Sequence, residues 1–104
     1  MNTWYSVDLG DGAAAYKPTE KIQGAFTAAY VLSGGKTNGI AAFSRYDLET
    51  NIVTVYFTPA AHRIAQAFNA SPCEKPTTDE LGLIIGDADS WHTFFPGDTP
   101  RDRH

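Results

Sequence analysis

The clearest structural signal in this chain is the pair of segments Ile40-Ala-Ala-Phe-Ser-Arg-Tyr46 and Ile52-Val-Thr-Val-Tyr-Phe-Thr58, separated by Asp47–Asn51. Both segments are rich in β-branched and aromatic residues, which predicts two strands joined in a hairpin by a five-residue connection. Pairing Tyr46 with Ile52 divides the side chains between two faces. One face then carries Ala41, Phe43, Val53, Val55 and Phe57, and the other carries Ala42, Ser44, Tyr46, Ile52, Thr54 and Tyr56.

The segments before this hairpin predict one strand and one helix. Thr3–Leu9 alternates apolar with polar or aromatic residues, which is typical of a strand. A helix follows, with Thr19 as its N-cap and Gly34-Gly35 as its stop. The intervening segment Ala13–Lys17 fits either a short second strand or an extended loop.

The segments after the hairpin predict a helix and a strand. Thr58-Pro59 is a typical helix start, a cap residue followed by proline, and the helix ends before Pro72. Ser71–Thr78 contains two prolines and predicts a loop. Leu81–Gly86 is a short apolar run that fits a buried strand, and Trp91–Phe95 fits a last short strand or a turn that packs its aromatic side chains.

This order of elements, β-α-β-β-α-β, is that of a ferredoxin-like sandwich, an α+β fold with an antiparallel sheet and two helices on one face. We expect residues 1–95 to form this single domain and residues 96–104 to form a polar, flexible C-terminal tail. The superfold hosts many activities, so it implies no function by itself.

Charge and composition narrow the classes of partner. Eight Lys and Arg against twelve Asp and Glu give a formal net charge of -4, which argues against nucleic acid and anionic membranes as partners.

The single cysteine, Cys73, excludes an internal disulfide and suits a reducing compartment. The N-terminal residues lack the pattern of a secretory signal, so we expect a cytoplasmic protein. Gly35-Lys-Thr37 lacks the earlier glycine of a phosphate loop, and we expect no cofactor.

A metal site is one hypothesis for the segment after the last predicted strand. Asp87, Asp89 and His92 lie within six residues, and carboxylates with an imidazole suit a divalent cation. The spacing does not match a calcium loop, because Trp91 stands where an oxygen ligand belongs. These aspartates more often serve as turn and cap residues, and we favour that interpretation.

Nucleophilic catalysis is a second hypothesis. Cys73 could form a thiolate–imidazole pair with His62 or His92, and Ser71 or Ser90 could act as nucleophile instead. Such a site needs groups held within hydrogen-bonding reach, which spacing along the chain does not establish. A lone cysteine usually packs as a small apolar side chain, and we favour that role for Cys73.

The predicted fold leaves one face of the sheet without a helix. That face would carry Trp4, Tyr46, Ile52 and Tyr56, together with Leu83 or Ile84, and Trp91, Phe94 and Phe95 could extend it. A contiguous apolar surface of this kind marks an interface or a ligand groove, and a symmetric dimer would bury it on both chains. The alternative is that these rings complete the core of the domain. Base stacking is disfavoured, because the only basic residue on the hairpin strands is Arg45, which projects to the Phe43 side.

These observations favour a small binding or interaction domain that is homodimeric through its aromatic sheet face and that also holds a small apolar ligand there. A small enzyme is the alternative from another class, with His92, Asp87, Asp89 or Cys73 acting in a cleft. A third hypothesis is an acidic inhibitor or immunity-type protein, since a negatively charged domain can cover a basic partner.

Overall fold

The computed structural model describes residues 3–35, 39–85 and 90–96. In chain order its elements are β1 (Trp4–Asp11), α1 (Tyr16–Leu32), β2 (Ala42–Asp47), β3 (Ile52–Phe57), the 3₁₀ helix Pro59–Ala61, α2 (His62–Ala67), β4 (Ser71–Cys73), β5 (Leu81–Ile85) and α3 (Ser90–Phe94). None of the helices in these ranges is long and apolar enough to cross a membrane. From residue 97 onward the predicted tail lies outside the described residues.

The five strands form one sheet in the order β4-β1-β3-β2-β5, with antiparallel neighbours throughout. The predicted α+β class and antiparallel sheet are therefore confirmed. The strand order differs from that of a four-stranded ferredoxin-like sandwich, because the strand predicted at Leu81–Gly86 is β5 (Leu81–Ile85), which pairs with β2 and not with β1. The outer neighbour of β1 is β4, which lies within Ser71–Thr78, so the prediction of a loop there is wrong for its first three residues.

The connection from β1 to α1 is a tight turn. The Asp11 carbonyl accepts a hydrogen bond from the N–H of Ala15 at 2.8 Å, and the helix begins at Tyr16. The segment Ala13–Lys17 is therefore neither a strand nor an extended loop. Thr19 lies inside the helix, so its predicted role as N-cap is wrong.

The predicted end of α1 is confirmed. Gly34 and Gly35 adopt φ angles of 79° and 86°, in the left-handed region that glycine enters without strain. The N–H of Gly35 donates to the carbonyl of Tyr30 at 2.9 Å, which satisfies one of the last carbonyl groups of the helix.

The register of the central hairpin differs by one residue from the predicted register. Tyr46 pairs with Val53 and not with Ile52, because Asp47 belongs to β2 and the connection contains only residues 48–51. The Asp47 carboxylate accepts hydrogen bonds from two backbone N–H groups of this connection, at 2.8 and 3.3 Å, which stabilise the shorter turn.

This shift of one residue changes which side chains share a face. Phe43 lies opposite Tyr56, so these two rings are on the same face of the sheet. Tyr46 lies on the other face, together with Val55 and Phe57. The predicted grouping of Tyr46 with Tyr56 is therefore wrong.

The first core lies between the sheet and the pair α1 and α2. Phe26 of α1 stacks on Phe57 of β3 with ring centroids 6.2 Å apart. Small side chains from the 3₁₀ helix and α2 allow close packing on the strands. The buried members of this core are Ile22, Phe26, Ala42, Val55, Phe57, Ala61 and Ala65.

A second core lies on the opposite face of the sheet, beneath α3. Trp91 and Phe95, one helical turn apart, both contact Phe43, with ring centroids 5.8 and 5.2 Å from it. The buried members are Trp4, Ala41, Phe43, Leu81, Trp91 and Phe95. The predicted bare face is thus covered by the chain itself. Residues 91–94 belong to a helix and not to the predicted strand or turn, but the aromatic side chains of Trp91 and Phe95 do pack into the core, as the second alternative expected.

Candidate ligand-binding groove

The residues predicted to form an aromatic interface do not form one exposed surface. Trp4 and Trp91 are each only 4% exposed, because they belong to the second core. Tyr56 packs half-buried against that core, and Ile52 is half-buried on the same face. Tyr46, on the opposite face, is exposed, and its hydroxyl donates to the Asn51 side chain. The structure therefore supports the alternative in which most of these rings complete the domain.

Arg45 lies on the Phe43 side of β2, as predicted, and its guanidinium is fully engaged within the chain. Nη1 donates to the hydroxyl of Tyr56 at 3.0 Å, and the group stands 5.3 Å from the centre of that ring. Nε donates to the carbonyl of Asp79 at 3.1 Å, and Nη2 donates to that of Thr77 at 2.7 Å. Arg45 thus fixes the connection before β5.

Cys73 is a half-buried thiol on β4, opposite Trp4 in the sheet. Burial raises the pKa of the Cys73 thiol above its ordinary value of 9.0, and the negative charge of Glu74 raises it further. The hydrogen bond to the Ser6 side chain acts in the opposite direction and lowers this pKa. The net effect keeps the thiol protonated at neutral pH, so its environment is not that of an activated nucleophile.

The predicted metal-binding residues are divided by the limits of the described chain. His92 is exposed on α3, whereas Asp87 and Asp89 lie outside the described residues. Within residues 3–35, 39–85 and 90–96, no group of three or more His, Cys, Asp or Glu side chains is placed to hold a metal ion.

A groove of about 660 Å³ lies at one end of the sheet, where the start of β1, the segment that leads into β2, the 3₁₀ helix and α3 meet. Its wall is mainly apolar, and it opens to solvent. The lining residues are Thr3, Tyr5, Gly39, Pro59, Ala60, His62, Thr93 and Phe94. We call this site the rim groove.

The floor of the rim groove depends on Gly39. Its φ angle of 82° lies in the region that favours glycine. A Cβ atom at this position would stand 3.7 Å from the Ala60 side chain and 3.9 Å from the ring of Phe94. The missing side chain therefore leaves space between two walls of the groove.

A fully buried hydroxyl holds this floor in place. Thr58 Oγ1 donates to the carbonyl of Gly39 at 2.8 Å and accepts from the N–H of Ala41 at 3.1 Å. Thr58 was expected to cap the second helix, but its hydroxyl instead connects the end of β3 to the start of β2. Both backbone groups are satisfied by this one side chain.

His62 is the ionisable group of the groove wall with a nitrogen available for ligands. The ring is exposed, and its Nδ1 lies 3.3 Å from the carbonyl oxygen of Pro59. Among the described residues that line the groove, Tyr5 is the other titratable one, and none carries a carboxylate or a permanent positive charge.

Sequence reasoning considered His62 only as a partner for Cys73. The run Pro59-Ala-Ala-His62 shows a short helix start with small side chains, but no local pattern places it against Phe94. The groove arises from segments that are about thirty residues apart, and no signal in the sequence could have found it.

Comparison of this chain with protein-family models, with curated proteins and with solved structures found no match.

Proposed function

We propose that this chain is a small binding domain that holds an apolar ring compound in the rim groove. The observation that carries the proposal is the groove itself, whose volume of about 660 Å³ falls within the usual range for small-molecule sites. An apolar wall with a few polar groups is the composition that such sites share, because burial supplies affinity and the polar groups supply orientation.

The wall of the groove favours a flat apolar ligand. Pro59, Ala60 and Phe94 present carbon atoms, and Gly39 leaves the space between them open. Ring compounds gain both area burial and ring-to-ring contact with a phenylalanine side chain.

The other hypotheses have less support. A symmetric dimer through the aromatic face would use Trp4 and Trp91, which are buried within one chain. An enzyme based on Cys73 lacks an activated thiol, because burial raises the pKa of that group. An acidic inhibitor is supported only by the net charge of -4.

We propose further that β1-α1-β2-β3-α2-β4 form a ferredoxin-like core to which β5 and α3 are added. The support is the order β4-β1-β3-β2 within the sheet and the position of α1 and α2 on one face. A cytoplasmic location is part of the same proposal, because Cys73 is a free thiol.

The binding proposal is tested by titrating the protein with 2-naphthol and following backbone amide chemical shifts. We expect the largest shifts at residues of the groove wall. Ala60→Trp should weaken binding at least tenfold, because the indole fills the groove. The matched control is Ala67→Trp, an exposed alanine of α2 outside the wall, which should bind as the wild type does. Unchanged binding by Ala60→Trp would show that the ligand lies elsewhere.

A further inference from the structure

The geometry of His62 points to a ligand class for the rim groove, an inference that rests on the proposed function. We propose that the groove takes an aromatic alcohol, a phenol or naphthol, whose hydroxyl group donates a hydrogen bond to Nε2 of His62.

The first step concerns the tautomer of the ring. His62 Nδ1 lies 3.3 Å from the carbonyl oxygen of Pro59, three residues earlier in the same turn. We interpret this contact as a hydrogen bond, and because a carbonyl oxygen only accepts, this interpretation assigns the proton to Nδ1. In the neutral ring the lone pair then lies on Nε2, which becomes a hydrogen-bond acceptor.

The second step concerns what Nε2 can bind. Within the described part of the chain, Nε2 of His62 has no hydrogen-bond partner, and the ring forms part of the groove wall. A neutral ring with this tautomer attracts a donor. A carboxylate only accepts hydrogen bonds, so its oxygen lone pair would face the lone pair of Nε2, which is repulsive unless the ring carries a second proton.

The third step concerns the rest of the ligand. Phe94, Pro59 and Ala60 offer apolar contact to an aromatic body, and the wall residues that the structure describes include no carboxylate that could pair with a cation. The favoured ligand is therefore an uncharged ring compound with one hydroxyl group, its apolar body within the groove and its hydroxyl at His62.

The experiment compares two probes with the same ring system, 2-naphthol, which has a hydroxyl donor, and 2-methoxynaphthalene, in which a methyl group replaces the donated hydrogen. Binding of both probes is measured by amide chemical shifts at the same pH. We expect the wild type to bind 2-naphthol about fivefold more tightly, the effect of one hydrogen bond of typical strength. His62→Ala should bind both probes equally. The control is Arg63→Ala, an exposed neighbour outside the wall, which should keep the preference.

The outcomes separate this inference from the proposed function. If the wild type binds both probes equally and Ala60→Trp blocks both, the groove binds rings but the hydroxyl assignment is wrong. If His62→Ala keeps the preference for 2-naphthol, another residue forms the hydrogen bond with the hydroxyl group, and the assignment to His62 is also wrong. If neither probe binds the wild type, the proposed function fails and the inference fails with it.

A measurement on the unmodified protein tests the tautomer directly. Nitrogen-15 spectra of histidine-labelled wild-type protein distinguish a proton on Nδ1 from a proton on Nε2. We expect the His62 proton on Nδ1 in the absence of ligand. A proton on Nε2 would overturn the inference, whatever the affinities of the two probes.

Discussion

Thr58 illustrates how one buried hydroxyl connects the fold to the site. It is fully buried, and its two hydrogen bonds link the carbonyl of Gly39 to the N–H of Ala41 across the ends of β2 and β3. Gly39 in turn forms the floor of the rim groove. The geometry of the groove therefore depends on a side chain that does not line it.

Thr58→Val should destabilise the protein by about 2–4 kcal/mol. Valine keeps the shape of threonine but leaves the buried N–H of Ala41 and the partly buried carbonyl of Gly39 without this partner, and an unpaired buried group typically costs about 1–3 kcal/mol. The measurement is the free energy of unfolding from urea titration. Thr27→Val is the matched control, because the Thr27 hydroxyl bonds to the Gln23 carbonyl on the exposed side of α1. Equal unfolding free energies for the two variants would contradict the role given to Thr58.

Cys73 should make the stability of the protein depend on pH above neutrality. Burial is the main cause that raises its pKa in the folded state above the ordinary value of 9.0. A raised pKa means that the folded state favours the protonated thiol, so the stability it contributes is fully present below about pH 9 and is lost as the pH rises through the folded-state pKa.

The test compares the urea midpoints of wild type and Cys73→Ala at pH values below and above 9.0, the ordinary thiol value. The wild type should lose stability relative to the variant as the pH rises, because only the wild type has a thiol that releases its proton more easily in the unfolded state. A constant difference between the two proteins across this range would show that the environment of Cys73 does not shift its titration.

At the scale of single elements, the hairpin shows that the sequence predicts the two strands but not how their residues pair. Alternation along β2 and β3 correctly predicts two antiparallel strands, because a half-buried strand repeats every two residues. It does not choose between a four-residue and a five-residue connection. The Asp47 carboxylate favours the shorter one by binding two N–H groups of the turn, and this moves Tyr46 to the other face.

The helix α3 is a second element that depends on its surroundings. Five residues are too few for a stable isolated helix, so local propensity does not predict one. The helix forms because Trp91 and Phe95, spaced four residues apart, both pack on Phe43. Tertiary packing therefore determines this element.

Trp91→Ala should destabilise the protein by about 3–5 kcal/mol, the usual loss for a buried tryptophan replaced by alanine. It should also promote self-association at high concentration, because Trp4 and Phe43 lose their cover. Urea titration and light scattering measure the two effects. His92→Ala, at an exposed position of the same helix, should change neither. A Trp91→Ala protein as stable and as monodisperse as His92→Ala would show that α3 does not hold the second core.

At the scale of the whole molecule, the sheet is the inner layer, and the helices that cover its two faces differ in number and length. The pair α1 and α2 covers one face, and the single short helix α3 covers the other. The rim groove lies where the thinner cover meets the 3₁₀ helix and the start of β1. A small domain has a small hydrophobic core, and a cavity inside that core would lower its stability. A groove at the edge of the sheet avoids this loss.

The amino-acid sequence alone determined the α+β class, the central hairpin, the end of α1 at Gly34-Gly35 and the orientation of Arg45. These features follow from side-chain periodicity and from the conformational freedom of glycine, which act within a few residues. The hairpin register follows from the hydrogen bonds of Asp47 within its own turn, a detail that alternation does not predict. Tertiary structure decided the neighbours of β1 and β2, the helix α3 and the rim groove. Their physical reason is contact between distant segments. Phe43 receives rings from residues some fifty positions away, and the groove wall joins His62 to Phe94, so neither is encoded in any local pattern.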